Sequence, residues 1–459
     1  MSHELLQDTV REHLLLHFTN HAVAYQPDQE VLVLERGEGP YVFDTRGRRY
    51  IDALSSLFCA QLGYSYGEEM TSAIAAQMQR LPFNTNWATA HPPAIELADA
   101  LAERFPGHLN HFFFTGGGSD SVEAMWKIAR EYFVAIGQPQ RLKAIARRNA
   151  YHGVTLGALS FTGVPGFKEI FGPPAIDVTH VSNTNAFRAP DGDDPAAFCA
   201  RLLAEVRETI DRVGRDEVAV IIAEPVQNAG GCLVPPPGYW AGLREIADET
   251  GALLVADEVI CGFGRLGEWL GVMREGVVPD MATTAKGLTS AYVPMGAVAV
   301  SDRIAETIHT AGNPLRHGIT FGGHPVAAAV ALRNLEIFER DGVLENVRAN
   351  EGYLEERLKE LRSLPIVGDT RGRGYFWAME LVRDAGNATF DKPERDRMLR
   401  GYLPKRLLEA GLIARCDDRG DSVLQIAPPL IADRALLDEI VERLGEVLAD
   451  TGAYMGVGV

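Results

Sequence analysis

Cysteine is scarce in this chain of 459 residues. Only Cys59, Cys199, Cys232, Cys261 and Cys416 occur, scattered, odd in number and never spaced as CxxC. That usage fits a reducing compartment and argues against a structural zinc site. Positive charge is also short. There are 44 Lys and Arg against 62 Asp and Glu, a formal charge of -18, and no Lys/Arg-rich run. A chain of this sign repels phosphate backbones, so no nucleic-acid partner is expected. No uninterrupted apolar run is long enough to span a bilayer, and the opening "MSHELLQDTVREH" lacks the apolar centre of a secretory signal. The expectation is a cytoplasmic protein that does not engage membranes. Repeats and low-complexity linkers are missing too.

What is present is material for a large core. Hydrophobic residues make up 46% and charged residues 23%, ordinary for a globular chain, and the length exceeds what one small core holds. In the middle of the chain, strand-like and helix-like segments alternate. "HFFFT" (111–115) is a short strand, and from Ser119 onward Val122, Trp126, Ala129 and Phe133 recur at helical spacing. "EVAVIIAEP" and "GALLVAD" are apolar runs suited to strands buried on both faces of a parallel sheet, with the helical "YWAGLREIADET" between them. After about residue 335 a long charged helix leads into an alternating "GYFWAMELV" and a final helix, "RALLDEIVERLGEVLAD". The extended "VLVLERGEGPYVFDTRGRRYIDA" near the start is expected to pair with that C-terminal unit. The expected layout is α/β: a large, mainly parallel-sheet domain over 66–330, and a smaller, discontinuous α+β domain. The smaller domain is built from 331–459 and part of an N-terminal segment, 1–65.

Three features converge on one edge of the large sheet. "FFFTGGGSDS" sets Gly116, Gly117 and Gly118 between a strand and a helix, with Ser119 and Asp120 at the helix start. By itself this is as well read as a plain glycine turn capped by Ser119. It also lets a backbone approach a phosphate at a helix N-terminus. It is no Walker loop, and Ser121 stands where a dinucleotide fingerprint has its third glycine. "GALLVADEVICGFGR" ends a buried strand on Asp257, at the carboxyl edge where parallel sheets bind ligands. A carboxylate there requires a cationic or protonated partner, unless it merely caps a helix. "PDMATTAKGLTSAYVPMGA" puts Lys286 where a strand-like run breaks into a turn, a costly place for an amine that nothing uses. Pyridoxal 5'-phosphate would use all three: an aldehyde for the amine, a ring nitrogen for the acid, a phosphate for the helix start. Tyr151, in "NAYHG", is an aromatic residue available to cover the ring.

With "YHG", "AEPVQNAGG", "ADEVICGFGR", "TTAKGLTS" and "HGITFGGHP" in that order, the chain resembles a class III, or omega, aminotransferase of the pyridoxal-phosphate fold-type I superfamily over nearly its whole length. The resemblance implies that Lys286 carries the covalent imine link to the cofactor and that Asp257 pairs with the ring nitrogen. It implies that Val259 and Tyr151 cover the two ring faces and that Gly118 and Ser119 bind the phosphate. It further implies that Thr320 reaches the phosphate of a partner subunit in a homodimer with shared sites, possibly paired into a tetramer, and that Glu224 supports the site. Phe18, Leu57, Phe58, Trp87 and Tyr151 match pocket-lining positions, although each also suits ordinary core. Arg415, in "GLIARCDDRGD", matches a switching arginine for substrate carboxylates, the alternative being a surface arginine paired with Asp417, Asp418 or Asp421. Two departures stand out: the phosphate loop, commonly Ser-Gly-Ser-Glu, reads Gly117-Gly118-Ser119-Asp120, and a frequent pocket tryptophan is Phe58.

The implied reaction is a ping-pong transamination from an amine or omega-amino acid to a keto acid, with Lys286 moving the proton. Ala229, in "EPVQNAGG", stands where 2-oxoglutarate users often carry a glutamate. This favours the amine or omega-amino acid:pyruvate branch. The alternatives are a 2-oxoglutarate-dependent omega-aminotransferase, an aminomutase, a decarboxylating transaminase and, from another class, a nucleotide-binding oxidoreductase. The last would explain the glycines but not Lys286 with Asp257.

Overall fold

A computed structural model describes residues 1–26 and 28–458. Its centre is a seven-stranded sheet. In spatial order the strands are Leu109–Thr115, Gly296–Ser301, Met281–Thr284, Leu253–Asp257, Val218–Ala223, Lys143–Arg147 and Asp177–Val181. Gly296–Ser301 runs antiparallel to both its neighbours, and the remaining pairs are parallel. Val218–Ala223 and Leu253–Asp257 are buried at every position, as near-continuous apolar runs require when helices cover both faces. The connecting helices follow familiar end chemistry. Asp194 accepts hydrogen bonds from the N–H groups of Ala196 and Ala197 at the start of Pro195–Val213, where Pro195 occupies a first-turn position that lacks an intrahelical partner.

Two smaller sheets flank this centre. Leu34–Glu38, Tyr41–Asp44 and Arg49–Asp52 form an antiparallel meander, and Leu412–Ile413 joins its edge in parallel, Leu412 opposite Ile51. The beginning of the chain thus pairs with a segment near its end. The second is an antiparallel sheet of Val367–Arg373, Phe376–Leu381, Val423–Ile426 and Arg415–Asp417. Helices Val343–Glu360 and Arg434–Met455 pack on this region, and one apolar cluster runs through all of it, including Ile51, Leu254, Trp377 and Leu437.

The alternating "GYFWAMELV" forms strand Phe376–Leu381, buried at all six positions. Its polar residue is Glu380. The Glu380 carboxylate is buried between Arg371 (Nη1 to Oε2, 2.7 Å) and Arg188 (Nε to Oε1, 2.6 Å), a charge kept in the interior by pairing.

At the sheet edge opposite the strand carboxyl ends, Asp280 joins three strands. Its Oδ2 accepts from Leu254 N and Arg244 Nη1, both at 2.8 Å, its Oδ1 accepts from Arg303 Nη2 (2.7 Å), and its carbonyl accepts from Ser301 N (3.0 Å). Asp280→Ala leaves a buried N–H and two guanidinium groups without their acceptor. We expect a loss of about 2–3 kcal/mol, on the scale of unsatisfied buried donors. The measurement is the thermal midpoint of holoenzyme at fixed protein and cofactor concentration; an unchanged midpoint would count against this role for Asp280 at the strand edge.

Candidate active site

Adjacent parallel strands bring the acid and the lysine together. Asp257 ends one strand and lies opposite Thr283 of the next, and Lys286 follows two residues after that strand ends. The Asp257 carboxylate is buried and held on three sides. Its Oδ1 accepts from Val259 N and Thr283 Oγ1, both at 3.1 Å, and its Oδ2 lies 2.6 Å from His152 Nδ1. Lys286 adopts a left-handed backbone (φ 42°), as do Ser290 and Ala291. For non-glycine residues such geometry costs of order 1–3 kcal/mol each and persists only where the surroundings enforce it. The enforcing residue is Asn334, buried in helix Pro325–Arg340. Its Nδ2 donates to the carbonyls of Gly287 (2.9 Å) and Leu288 (3.1 Å), and its Oδ1 accepts from Ser290 Oγ (2.6 Å).

The glycine run supplies the third part. Helix Gly118–Ala135 begins one residue earlier than expected, and its first intrahelical bond in this turn runs from Ser121 N to the Gly117 carbonyl (2.9 Å). Ser119 does not cap the helix: its hydroxyl accepts from Val154 N (3.1 Å). A Cβ at Gly118 would stand 2.9 Å from Val259 Cγ1, so only glycine fits there without displacing the valine. Ser121 has its own reason for being where a nucleotide fingerprint has glycine. Its hydroxyl bonds Thr115 Oγ1 (2.7 Å) and the Thr284 carbonyl (3.0 Å), lashing the glycine loop to the strand that leads to Lys286.

These parts line a cavity of about 140 Å³ bounded by Gly118, Ser119, Tyr151, His152, Gly153, Glu224, Asp257, Val259, Ile260, Cys261 and Lys286. Burial lowers the Lys286 amine from its ordinary value, with nearby Cys59, Asp257 and Glu224 opposing the shift. Burial pushes the Glu224 carboxyl up, His152 opposes this and Asp257 adds to it. Glu224 braces the wall, accepting from Tyr151 N (3.2 Å) and Asn228 N (2.9 Å). The Lys286 amine, on a partly buried residue, makes no hydrogen bond to another described residue. A phosphate at the open helix start, a ring nitrogen at Asp257 and a carbonyl carbon at the free amine would engage all three groups together. The donor set therefore fits pyridoxal 5'-phosphate.

Of the residues singled out from sequence, the cavity unites Lys286, Asp257, Gly118, Ser119, Tyr151, Glu224 and Val259. Phe58 is buried beside Phe376, outside the lining, with the ring centroids 5.5 Å apart. The Arg415 guanidinium lies 5.8 Å from the Phe58 centroid. Phe18, Leu57, Trp87 and Thr320 lie outside this cavity in the single chain, and all four are exposed. Sequence reasoning passed over His152 and Asn334. The histidine sits inside the quoted "YHG", and the asparagine interrupts the apolar face of "PVAAAVALRNLEIF"; a polar residue on a core-facing stripe was the available signal.

A strand-edge lysine, a buried acid beside it and a glycine-opened helix start define a pyridoxal-phosphate enzyme. The model of aminotransferase class III matches residues 22–448. A probable aminotransferase of Mycobacterium tuberculosis is 48% identical over 448 residues, covering 97% of this chain and 95% of that protein. The putrescine–pyruvate aminotransferase of Pseudomonas aeruginosa is 38% identical, covering 96% and 95%. Among solved structures, an (S)-enantioselective omega-transaminase from Thermomicrobium roseum superposes with a TM-score of 0.94 at 43% identity, covering 98% of this chain and 99% of that one. The chain belongs to the class III aminotransferases. It has the fold of the type I pyridoxal-phosphate transferases, and its substrates are small amines and keto acids.

Lys286→Ala retains the cavity walls that hold phosphate and ring. We expect a folded protein that still takes up cofactor but lacks the visible absorbance of the lysine-linked form, with turnover reduced by about 10³-fold or more, the scale of a lost acid–base group. Absorbance spectra and single-turnover kinetics check this; wild-type-like turnover would remove Lys286 from the chemistry.

Proposed function

We propose that the protein transfers the amino group of an amine or omega-amino acid to a monocarboxylic keto acid, pyruvate in the first place, in two half-reactions at one site. Bound pyridoxal phosphate supplies an electron sink for the bonding pair released at the carbon that loses its proton. The chain's own groups do the rest. Gly118 and Ser119 offer backbone N–H groups to the phosphate. Asp257 keeps the proton at the ring nitrogen, and His152 holds its Oδ2 in place. Val259 and Tyr151 confine the ring. Lys286, with its proton affinity reduced by burial, would take the proton from the donor carbon in the first half-reaction and would return it in the second.

The observation that carries the acceptor assignment is Arg415. Its nearest carboxylate is Asp417, 3.9 Å away and already gripped by Arg419. Asp418 is taken by Arg400, and Asp421 lies beside Arg188. The Arg415 guanidinium is therefore free to meet a substrate carboxylate. Ala229 supports the same reading. The adjacent Asn228 carbonyl accepts from Gln425 Nε2 (2.7 Å), Gln425 stands opposite Arg415 in the sheet, and residue 229 is an alanine that carries no carboxylate. The names of the Pseudomonas putrescine–pyruvate and Thermomicrobium omega-transaminase relatives agree with this substrate class.

A second copy completes the site in this reading. Trp87 and Phe321 are exposed, Phe83 lies 5.5 Å from Phe321, and a Cβ at Gly318 would stand 2.8 Å from the Trp87 ring. This apolar surface carries Thr320 at its crest and suits burial against a partner, which would bring Thr320, Phe18, Leu57 and Trp87 to the neighbouring cavity. The large α/β unit would span 66–330, with 1–65 and 331–459 around it. Five unpaired cysteines, and no helix among the described residues long and apolar enough to cross a membrane, suit a cytoplasmic setting.

Two outcomes are expected. Arg415→Ala should weaken use of pyruvate and amino-acid donors by about 1.5–3 kcal/mol, the scale of a charged hydrogen bond, while sparing the half-reaction with 1-phenylethylamine. Equal losses in both half-reactions would make Arg415 structural. Thr320→Ala should lower cofactor affinity by about 1 kcal/mol, one hydrogen bond, read from cofactor retention on dilution. A monomer that keeps full cofactor occupancy would contradict the shared site.

A further inference from the structure

Beside the cavity, two guanidinium groups share one carboxylate. Arg419 grips Asp417 with both arms: Nε to Oδ1 at 2.8 Å, Nη2 to Oδ2 at 2.5 Å, and its backbone N–H to Oδ1 at 3.1 Å. Both side chains are buried, and the Arg419 guanidinium lies 5.6 Å from the centroid of the Tyr151 ring, which lines the cavity. Arg415 contacts the same Oδ2 at 3.9 Å. The neighbouring charges close among themselves: Asp418 with Arg400, and Glu380 with Arg371 and Arg188, the last also facing Asp421. The Arg415–Asp417–Arg419 cluster thus carries one uncompensated positive charge next to the substrate space.

We propose that Asp417 and Arg419 are specificity-determining residues that set this cluster to a net charge of +1, matching a keto acid with one carboxylate and disfavouring one with two. The proposal rests on reading Arg415 as the keto-acid arginine. In a desolvated cluster, a monoanion closes the charge, while a dianion brings its second carboxylate up to Asp417 without a free cation to receive it. Specificity of this kind comes from the repulsive element, here the Asp417 carboxylate, as much as from the attractive one. The grip of Arg419 also keeps Asp417 from pairing fully with Arg415. Burial and the adjacent Arg419 charge bring the Arg415 pKa down to about 10, the mark of a cation short of a counter-ion.

The test is charge exchange in the holoenzyme, reading kcat/KM for pyruvate and for 2-oxoglutarate, with cofactor absorbance as the check on folding. Asp417→Asn raises the cluster to +2 and should shift the 2-oxoglutarate:pyruvate ratio upward by about tenfold or more. Arg419→Gln lowers it to zero and frees Asp417 to neutralise Arg415, so both keto acids should weaken and the ratio should not rise. The double variant Asp417→Asn with Arg419→Gln restores +1 and should return the ratio toward wild type. If Asp417→Asn yields no holoenzyme, Arg419→Gln alone decides, since loss of keto-acid use supports the proposal and unchanged use overturns it. A ratio indifferent to charge, or a double variant no closer to wild type than Asp417→Asn, overturns it as well. A wild-type enzyme that prefers 2-oxoglutarate would refute the pyruvate assignment; the direction of the shifts among the variants would then still decide whether cluster charge sets the choice of keto acid.

Discussion

A carboxylate buried at the end of a central strand has to be satisfied, and Asp257 is where the structure meets that demand. Its two oxygens take a backbone N–H, a threonine hydroxyl from the next strand and a histidine from a separate loop. Each partner commits a segment. Thr283 sets the register of the strand before Lys286, Val259 begins the turn that faces Gly118, and His152 fixes the loop that presents Tyr151. Remove the requirement for an ionisable group at this depth, and a leucine would serve the sheet equally well. The cost of keeping the acid there is intelligible only through the cofactor that it serves.

Much of this was legible from the chain. Apolar runs long enough for one strand, separated by helical periodicity, announce a parallel sheet, and a polar residue at the end of such a run announces the ligand edge. Asp257 and Lys286 could be read that way because each breaks a strongly patterned segment. His152 and Arg419 could not, Asn334 left only the trace of a polar residue on an apolar stripe, and Asp417 was visible only as one of several possible partners for Arg415. Local pattern carries little information about the depth of such polar residues, and the partners that bury His152 and Asn334 are distant in sequence. Glu380 shows the same: two arginines from other segments pair with it in the interior. Trp87, Leu57 and Phe18 mark the opposite limit: all three are exposed and stand apart from the cavity of the single chain.

The smaller sheets do more than flank the site. Arg371, already bound to Glu380, donates from Nε to the Gly231 carbonyl (2.6 Å) and from Nη2 to the Gly230 carbonyl (2.8 Å). Those glycines follow Ala229 and begin two residues after Asn228, whose N–H is held by Glu224 in the cavity wall. A Cβ at Gly420, just beyond Arg419, would come within 3.2 Å of Gly230 Cα. The cavity wall and the Arg415–Arg419 segment are thereby joined through a few residues of irregular backbone.

The parallel pairing of Leu412 with Ile51 has a consequence for how the chain is made. During synthesis the N-terminal meander emerges first, yet its outer strand gains its last neighbour only after about 360 further residues have left the ribosome, a wait of the order of tens of seconds. Until then Arg49–Asp52 presents an unpaired edge, the feature by which nascent strands recruit the wrong chain. The residues before and within it, Arg46, Arg48 and Arg49, are charged, and all seven strands of the central sheet lie between residues 109 and 301. The connectivity thus lets the N-terminal meander gain its last neighbour only when the C-terminal segment arrives.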